Sequence, residues 1–406
     1  MPASEGVMSS TNSKKTAAAV VAALIVAMLI GSCSSAAPTA DSEVALSDAV
    51  ATDAAADFDA GQDATAFGAM EAEDERALRL LLIARAGSAA SSAAQWPSNP
   101  LAVWPGFALH QAPTMLVMLS AKGMPSRAYL YGVAPPPAGA QAVTLAGVAE
   151  SIWRYDAGKA DLGPGETVIP EHTVDGRALF VATWSPYRDT DDLAWIEVLA
   201  RGYMVRLREI EAAWSGVQAC GQTIYPRFVE AIALVQLECA TLSDALAATD
   251  ADDVSARLHE WAAARAAGIA VSNFVGLRTR HYDNLFGSER FVAGRLSVAA
   301  GQRSAAQWTT TLRDWLALPT TAPVEQFDTL LMEAGEISAA AMEAASRVGW
   351  DVEPSFSSGN NAYQVVVDKL GVPPASALAA AKGRHDWAGL LKRAEAVMAL
   401  PKGDAP

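Results

Sequence analysis

The chain has 406 residues, a formal net charge of −15 and a hydrophobic content of 51%. This content excludes an intrinsically disordered chain, because such chains lack the apolar surface that offsets the loss of conformational entropy on ordering. The single long apolar run lies near the N-terminus, which excludes a multi-pass membrane protein. Lys and Arg number 30 against 45 Asp and Glu, so we expect no nucleic-acid partner.

The N-terminal segment has the features of an export signal. Lys14 and Lys15 precede an uncharged run over 17–30, which has the length of a signal-peptide core rather than of a membrane span. The run ends in Ile30-Gly31-Ser32-Cys33, which resembles the lipobox of bacterial lipoproteins. The resemblance implies cleavage after residue 32 and acyl chains on Cys33 that hold the protein at a membrane. An ordinary signal peptide and an uncleaved anchor are the alternatives.

The residues after Cys33 indicate to which membrane the protein is sorted and how the folded domain is connected to the lipid. Ser34 in place of Asp resembles the sorting pattern for the outer membrane, which predicts an envelope lipoprotein facing the periplasm; the inner membrane is the alternative. Residues 34–75 contain eleven acidic and no basic residues, whereas 76–406 contain 33 acidic and 28 basic residues, a net charge of −5. We interpret 33–70 as an extended, disordered acidic tether. The alternative is a docking tail for a basic partner.

The length and patterning of residues 71–400 predict a single α+β domain. We expect this domain to be rich in β-strands over 101–188 and helical over 189–400. A helix is predicted over 71–85, followed by a connector over 87–100. Four short strands predict a small antiparallel sheet, at 114–119, 127–131, 151–155 and 178–184. An Asp-Gly turn at 175–176 precedes the last strand, and the prolines at 135–137 mark a loop.

Helical periodicity begins after Pro186. Asp189, Asp191 and Asp192 form a helix start. The apolar stripe that follows comprises Leu193, Ile196, Ala200, Tyr203, Leu207, Ile210 and Trp214. A second helix, beginning at Pro226, is predicted to bury Phe228, Ile232, Val235, Cys239, Leu242 and Leu246. A third begins at 250–253 and buries Val254, Leu258 and Trp261, and further helices are predicted at 303–318, 323–347 and 384–399.

Two cysteines remain besides Cys33. Export favours a disulfide between Cys220 and Cys239. However, Cys239 lies about 20 Å along the predicted helix from its start, and the Cα atoms of a disulfide lie within about 7 Å of each other. The geometry therefore disfavours this disulfide and favours a buried, free Cys239.

The chain shows no complete catalytic motif. No histidine has another within five residues, as paired zinc ligands on one helix require; the five are His110, His172, His259, His281 and His385. The sequence also lacks a Gly-x-Ser-x-Gly elbow, a phosphate-binding loop and a Cys-x-x-Cys pair. We therefore expect no metal and no cofactor.

Several features between 100 and 300 occur together. Trp104-Pro105-Gly106-Phe107 is followed by Pro113 before a β run, by the 135–137 loop and by a long helix after the sheet. This arrangement resembles a group of exported bacterial proteins with the fold of zinc-dependent gluzincin peptidases. In that group the long helix carries His-Glu-x-x-His, and a later helix carries a Glu beside Gly-x-Ala-x-Tyr.

The overlay on that group places Ile-Glu-Val-Leu-Ala, 196–200, on the first motif. It places Ala-Gly-Arg-Leu-Ser, 293–297, on the second, after the region of Arg278, Arg280 and Glu289. Only Glu197 matches, and the zinc ligands are replaced by apolar residues. Without two imidazoles and a carboxylate, a zinc-bound water cannot be made acidic enough to attack at neutral pH. The resemblance thus implies a pseudoenzyme or a refitted site.

Two roles for Glu197 stay open, that of a general base and that of a solvated or ion-paired residue on the helix flank. We favour a non-catalytic binding or scaffolding role in the cell envelope, towards an envelope polymer or protein. The alternative is a peptidase-like envelope hydrolase with an unusual site around Glu197.

The chain contains 11 tryptophans. Trp153, Trp184 and the pair Trp96 and Trp104 lie in or near the β-rich part, where exposed rings could stack on sugars. The alternative, which we favour, is that these rings pack in the core.

Overall fold

The computed structural model describes residues 70–160, 162, 168–185, 191–210, 228–272, 275, 286–327, 335–354 and 361–400. The predicted export signal, Cys33, Ser34 and the acidic tether lie outside these residues. The described helices are α1 (Ala72–Ser92), α2 (Asp192–Ile210), α3 (Val229–Ala247), α4 (Ala251–Val271), α5 (Ser288–Ala299), α6 (Ala305–Thr321), α7 (Gly335–Arg347), α8 (Ala362–Leu370), α9 (Ala375–Arg384) and α10 (Trp387–Ala399). The described strands are β1 (Thr114–Leu119), β2 (Pro125–Tyr131), β3 (Gln141–Val143), β4 (Ile152–Tyr155), β5 (Val168–Val174) and β6 (Arg177–Trp184).

The six strands form one sheet in the order β3-β4-β2-β1-β6-β5. The α+β prediction of a small sheet followed by a helical region is confirmed. The sequence predicts a small antiparallel sheet, and four of the five strand pairs are antiparallel. The fifth pair, β1 with β6, is parallel, with Thr114 opposite Phe180. The sheet contains two antiparallel hairpins, β1–β2 and β5–β6. They lie side by side so that β1 of one pairs with β6 of the other, and these two strands run in the same direction. Every residue of β1 is buried, which explains why five consecutive apolar residues follow Thr114.

The strands that the sequence did not reveal lie at the two edges of the sheet. β3 has only three residues, and β5 contains Pro170, which weakens a strand pattern and is tolerated at an edge. The predicted turn joins β5 to β6, and Asp175 and Gly176 have φ values of 48° and 75°. A two-residue turn of type I′ requires positive φ at both positions.

Helix α1 extends to Ser92, so the predicted connector over 87–100 is wrong in its first part. The small residues of this stretch serve close packing between helices. A Cβ atom on Gly87 would lie 2.7 Å from the backbone nitrogen of Ala300, which follows α5. Only glycine permits this approach.

Two polar ties hold α1 in place. Near its start, the buried Asp74 carboxylate accepts hydrogen bonds from Arg127 Nε at 2.8 Å and from the Tyr129 hydroxyl at 2.5 Å, both on β2. In its second half, the buried Arg85 guanidinium donates to the carbonyls of Leu109 at 2.9 Å and Ala112 at 2.6 Å. The helix is therefore fixed to the β-rich part through both halves.

Helix α2 begins where the aspartates predicted a start, and the Asp191 carboxylate accepts a hydrogen bond from the Ala194 backbone N–H at 2.6 Å. Ile196, Ala200 and Tyr203 of the predicted stripe are buried, while Asp189 and Trp214 lie outside the described residues. In α3 the predicted apolar residues from Ile232 onward are buried.

Phe228 does not join the core of α3. Its side chain is 55% exposed, because the helix begins one residue later and Phe228 occupies the N-cap position. Helix α4 is the third helix predicted after Pro186. It is capped by Asp250, whose carboxylate accepts hydrogen bonds from the backbone N–H groups of Asp252 and Asp253. Val254, Leu258 and Trp261 are buried as predicted.

The predicted 323–347 helix differs from the structure at its start. Val324–Gln326 form a 3₁₀ turn, α7 covers Gly335–Arg347, and 328–334 lie outside the described residues. The predicted 384–399 helix is α10, and α9 ends just before it.

Candidate functional site

Glu197, the one residue that matches the gluzincin motif, lies on α2 and is 9% exposed. Ile196 and Ala200, at the positions of the two zinc-binding histidines, are both fully buried in the apolar core. Apolar side chains cannot ligate zinc, so the residues present do not fit the metal that the resemblance implies. Within the described residues, no group of His, Cys, Asp or Glu is arranged to hold a metal ion.

Glu197 is instead surrounded by arginines. One carboxylate oxygen, Oε2, accepts a hydrogen bond from Arg290 Nη1 at 2.5 Å, and the other, Oε1, accepts from Arg303 Nη2. Arg201 Nη2 lies 3.8 Å from Oε2, and Arg290 Nε lies 3.3 Å from Glu336 Oε1. We call these five residues, Glu197, Arg201, Arg290, Arg303 and Glu336, the Glu197 cluster.

Four parts of the helical region place these side chains. Glu197 and Arg201 are one turn apart on α2, and Arg290 lies in the first turn of α5. Arg303 lies just before α6, where Ser304 forms a capping box with Gln307 that sets the start of the helix. Glu336 lies in the first turn of α7. The cluster thus joins helices that are far apart in sequence.

Trp308 of α6 packs beneath two arginines of the Glu197 cluster. Its ring centre lies 4.7 Å from the Arg303 guanidinium carbon and 5.7 Å from that of Arg290, which are cation–π distances. The ring can lie there because residue 294 is glycine. A Cβ atom on Gly294 would lie 2.3 Å from two ring atoms of Trp308.

A second buried ion pair adjoins the Glu197 cluster through the same tryptophan. Trp308 Nε1 donates to Glu343 Oε2 at 3.2 Å, and Arg295 Nε donates to that oxygen at 3.0 Å. Arg295 Nη1 also donates to the carbonyls of Pro97, Asn99 and Ala102 at 2.9, 3.1 and 3.0 Å. This pair therefore fixes the segment between α1 and β1 onto α5.

The two overlaid segments, 196–200 and 293–297, do meet in the fold. Arg303 connects them, because its Nε donates to Ser297 Oγ at 2.5 Å while its Nη2 donates to Glu197. The two segments are thus joined by an ion pair and a hydrogen bond through Arg303, while the zinc-ligand positions of the first motif hold the apolar Ile196 and Ala200. Arg278 and Arg280 lie outside the described residues, and Glu289 lies in the first turn of α5.

The arginines also set the charge of the two carboxyl groups. Burial raises the pKa of Glu197, but Arg290, Arg201 and Arg303 together outweigh burial and hold this pKa below its ordinary value. Burial raises the pKa of Glu336, which Arg290 and Arg201 lower only in part. A carboxylate stabilised in this way is a weak proton acceptor, which favours the ion-paired role of Glu197 over that of a general base.

Other candidate residues pack in the core. Trp184 and Trp104 are buried, and Trp96 packs edge-to-face on Trp104 with ring centres 5.6 Å apart. Trp153 is partly buried against the second face of the sheet. Cys239 is free and fully buried, and burial raises the pKa of its thiol; Cys220 lies outside the described residues.

The sequence did not single out Arg201, Arg290, Arg303 or Glu336. The one available signal was the spacing of Glu197 and Arg201, since residues four apart on a helix form ion pairs. Arg290, Arg303 and Glu336 lie on elements that are distant from Glu197 in sequence. No local sequence pattern indicates that these elements meet.

No protein-family model, curated protein or solved structure matches the chain. None of the helices in the described ranges combines the length and the apolar character that crossing a bilayer requires.

Proposed function

We propose that this protein is an outer-membrane-anchored lipoprotein whose α+β domain binds or scaffolds another component of the cell envelope. The location rests on the lipobox-like Ile30-Gly31-Ser32-Cys33, on Ser34 and on the acidic stretch that follows. The non-catalytic role rests on one observation, the pairing of Glu197 with Arg290 and Arg303.

This pairing argues against hydrolysis through Glu197 for two reasons. A general base must accept a proton from water, and the neighbouring guanidinium groups favour the ionised carboxylate over the protonated form. Both carboxylate oxygens are already engaged in charge-assisted hydrogen bonds. The side chain is therefore used to join α2 to α5 and to the start of α6.

The anchor is tested by metabolic labelling in a bacterial host with a palmitate analogue that carries an alkyne. We expect the wild-type protein to incorporate the label and to fractionate with the outer membrane. Cys33→Ser should abolish labelling, and Cys220→Ser should leave it unchanged. A labelled Cys33→Ser protein, or an unlabelled wild type, would contradict the anchor.

The role of the domain is tested with full-length protein purified in detergent. We expect it to retain a specific component from solubilised envelope extracts and to show no peptidase activity that depends on Glu197. Retention of no envelope component would count against the binding role. Hydrolysis of envelope peptides that is lost in Glu197→Gln, with an unchanged circular dichroism spectrum, would favour the hydrolase instead.

A further inference from the structure

We propose that the Glu197 cluster is a binding site for an oxyanion, a phosphate or carboxylate group, which Arg201 holds at the entrance. The inference rests on the proposed binding function and names the chemical class that the domain recognises. Nothing in it depends on the lipid anchor.

The first observation is the convergence of cationic groups. Three guanidinium groups, those of Arg201, Arg290 and Arg303, lie within 4 Å of the carboxylates of Glu197 and Glu336, so cationic groups converge at this position. Cationic groups that converge at a partly buried position are stabilised by an incoming anion.

The second observation is the state of Arg201. Arg290 and Arg303 donate directly to Glu197, whereas Arg201 Nη2 remains 3.8 Å from Oε2. Arg201 Nε is buried and has no hydrogen-bond partner among the described residues. These two nitrogens form the edge of a guanidinium group that grips two oxygens of a phosphate or carboxylate side by side. Within the described ranges, this edge therefore has no acceptor at hydrogen-bonding distance.

The third observation is access. The Arg201 side chain is 24% exposed, while that of Arg303, deeper in the cluster, is 6% exposed. Arg201 is therefore the more solvent-accessible of these two arginines, although its Nε is buried. Arg303 and Arg290 are braced by Trp308 behind them, so they supply a fixed positive field.

The site is tested by isothermal titration of the full-length protein in detergent with inorganic phosphate and, separately, with acetate at constant ionic strength. We expect saturable binding of at least one of the two ions, and the preferred ion identifies the class of ligand. Glycerol 3-phosphate then distinguishes free phosphate from a phosphate ester. Absence of saturable binding of all three at millimolar concentrations would overturn the proposal.

Two variants locate the binding on the cluster. Arg201→Gln should weaken binding about tenfold or more, the equivalent of about 1.4 kcal/mol. Arg79→Gln is the matched control, because Arg79 is likewise paired with a Glu one turn away but its side chain is 44% exposed. This variant should bind as the wild type does. Equal affinities of the two variants would show binding elsewhere.

A third variant keeps the test independent of Arg201. Glu336→Gln removes the carboxylate that competes for the arginines, so we expect tighter anion binding. Unchanged or weaker binding in a folded Glu336→Gln protein would contradict the site. Because labelling of Cys33 and capture of envelope components are measured separately, failure of the oxyanion site is distinguishable from failure of the proposed function.

Discussion

The packing of Trp308 on Gly294 makes a sharp prediction for the substitution Gly294→Ala. The added methyl group would lie 2.3 Å from Cε2 and Cζ2 and 2.5 Å from Cη2 of the tryptophan ring. Trp308 is 1% exposed, and a rigid ring in a filled core has little freedom to move aside. The substitution therefore forces α5 and α6 apart.

The expected magnitude follows from two opposing effects. Overpacking a core costs about 1–3 kcal/mol, and displacement of the ring also weakens its hydrogen bond to Glu343, which is worth about 1 kcal/mol. In the opposite direction, the higher helix propensity of Ala relative to Gly raises the free energy of unfolding by about 1 kcal/mol. We expect Gly294→Ala to lower the free energy of unfolding by about 1–3 kcal/mol.

Urea denaturation of the full-length protein in detergent, followed by tryptophan fluorescence, measures this change. Gly383→Ala on α9 is the matched control, because a Cβ atom there meets nothing within 4 Å. It should raise the free energy of unfolding by about 0.5 kcal/mol. If Gly294→Ala proves as stable as the wild type, the contact between α5 and Trp308 is wrong.

Three further substitutions test the ion pairs and a helix cap by the same denaturation assay. Glu197→Gln should lower the free energy of unfolding by about 3 kcal/mol at neutral pH. Because the folded-state pKa of Glu197 lies below its ordinary 4.5, the stabilisation by this carboxylate is present above pH 4.5 and is lost as the pH falls through the lowered pKa. A difference between wild type and variant that stays undiminished in strong acid would refute the ion pairing. Glu343→Gln should also cost about 3 kcal/mol, against at most about 0.5 for Glu75→Gln in an exposed pair; similar losses would contradict this contrast. Asp250→Ala should cost about 1 kcal/mol and Asp250→Asn almost nothing, and equal losses would exclude the cap.

The local parts of the fold were readable from the sequence. The bounds of β1 match the predicted strand, because Thr114 and the five apolar residues that follow it, between Pro113 and a glycine turn, form a short run typical of a buried strand. Aspartates likewise marked the starts of α2 and α4. Where a signal is contained in neighbouring residues, pattern and structure agree.

The remaining features depend on contacts between distant segments. Gly87 looks like a connector residue, and only the approach of Ala300 shows why it lies inside a helix. The parallel pairing of β1 with β6 depends on how two hairpins meet. The Glu197 cluster is a similar case, because Arg303 reaches Glu197 across 106 positions of sequence and no periodicity encodes that distance.

The two ties of α1 have a mechanical consequence for a protein held by its N-terminal side. In a protein anchored at Cys33, tension on the chain enters the described domain at α1. The helix presents Ala77, Leu78 and Leu81 to the core, and Asp74 and Arg85 bind it to the β-rich part. Detachment of α1 from the domain requires the loss of these apolar contacts and of both polar ties. An attachment at Cys33, as we propose, would therefore pull on a helix that is fixed to the rest of the domain through both of its halves.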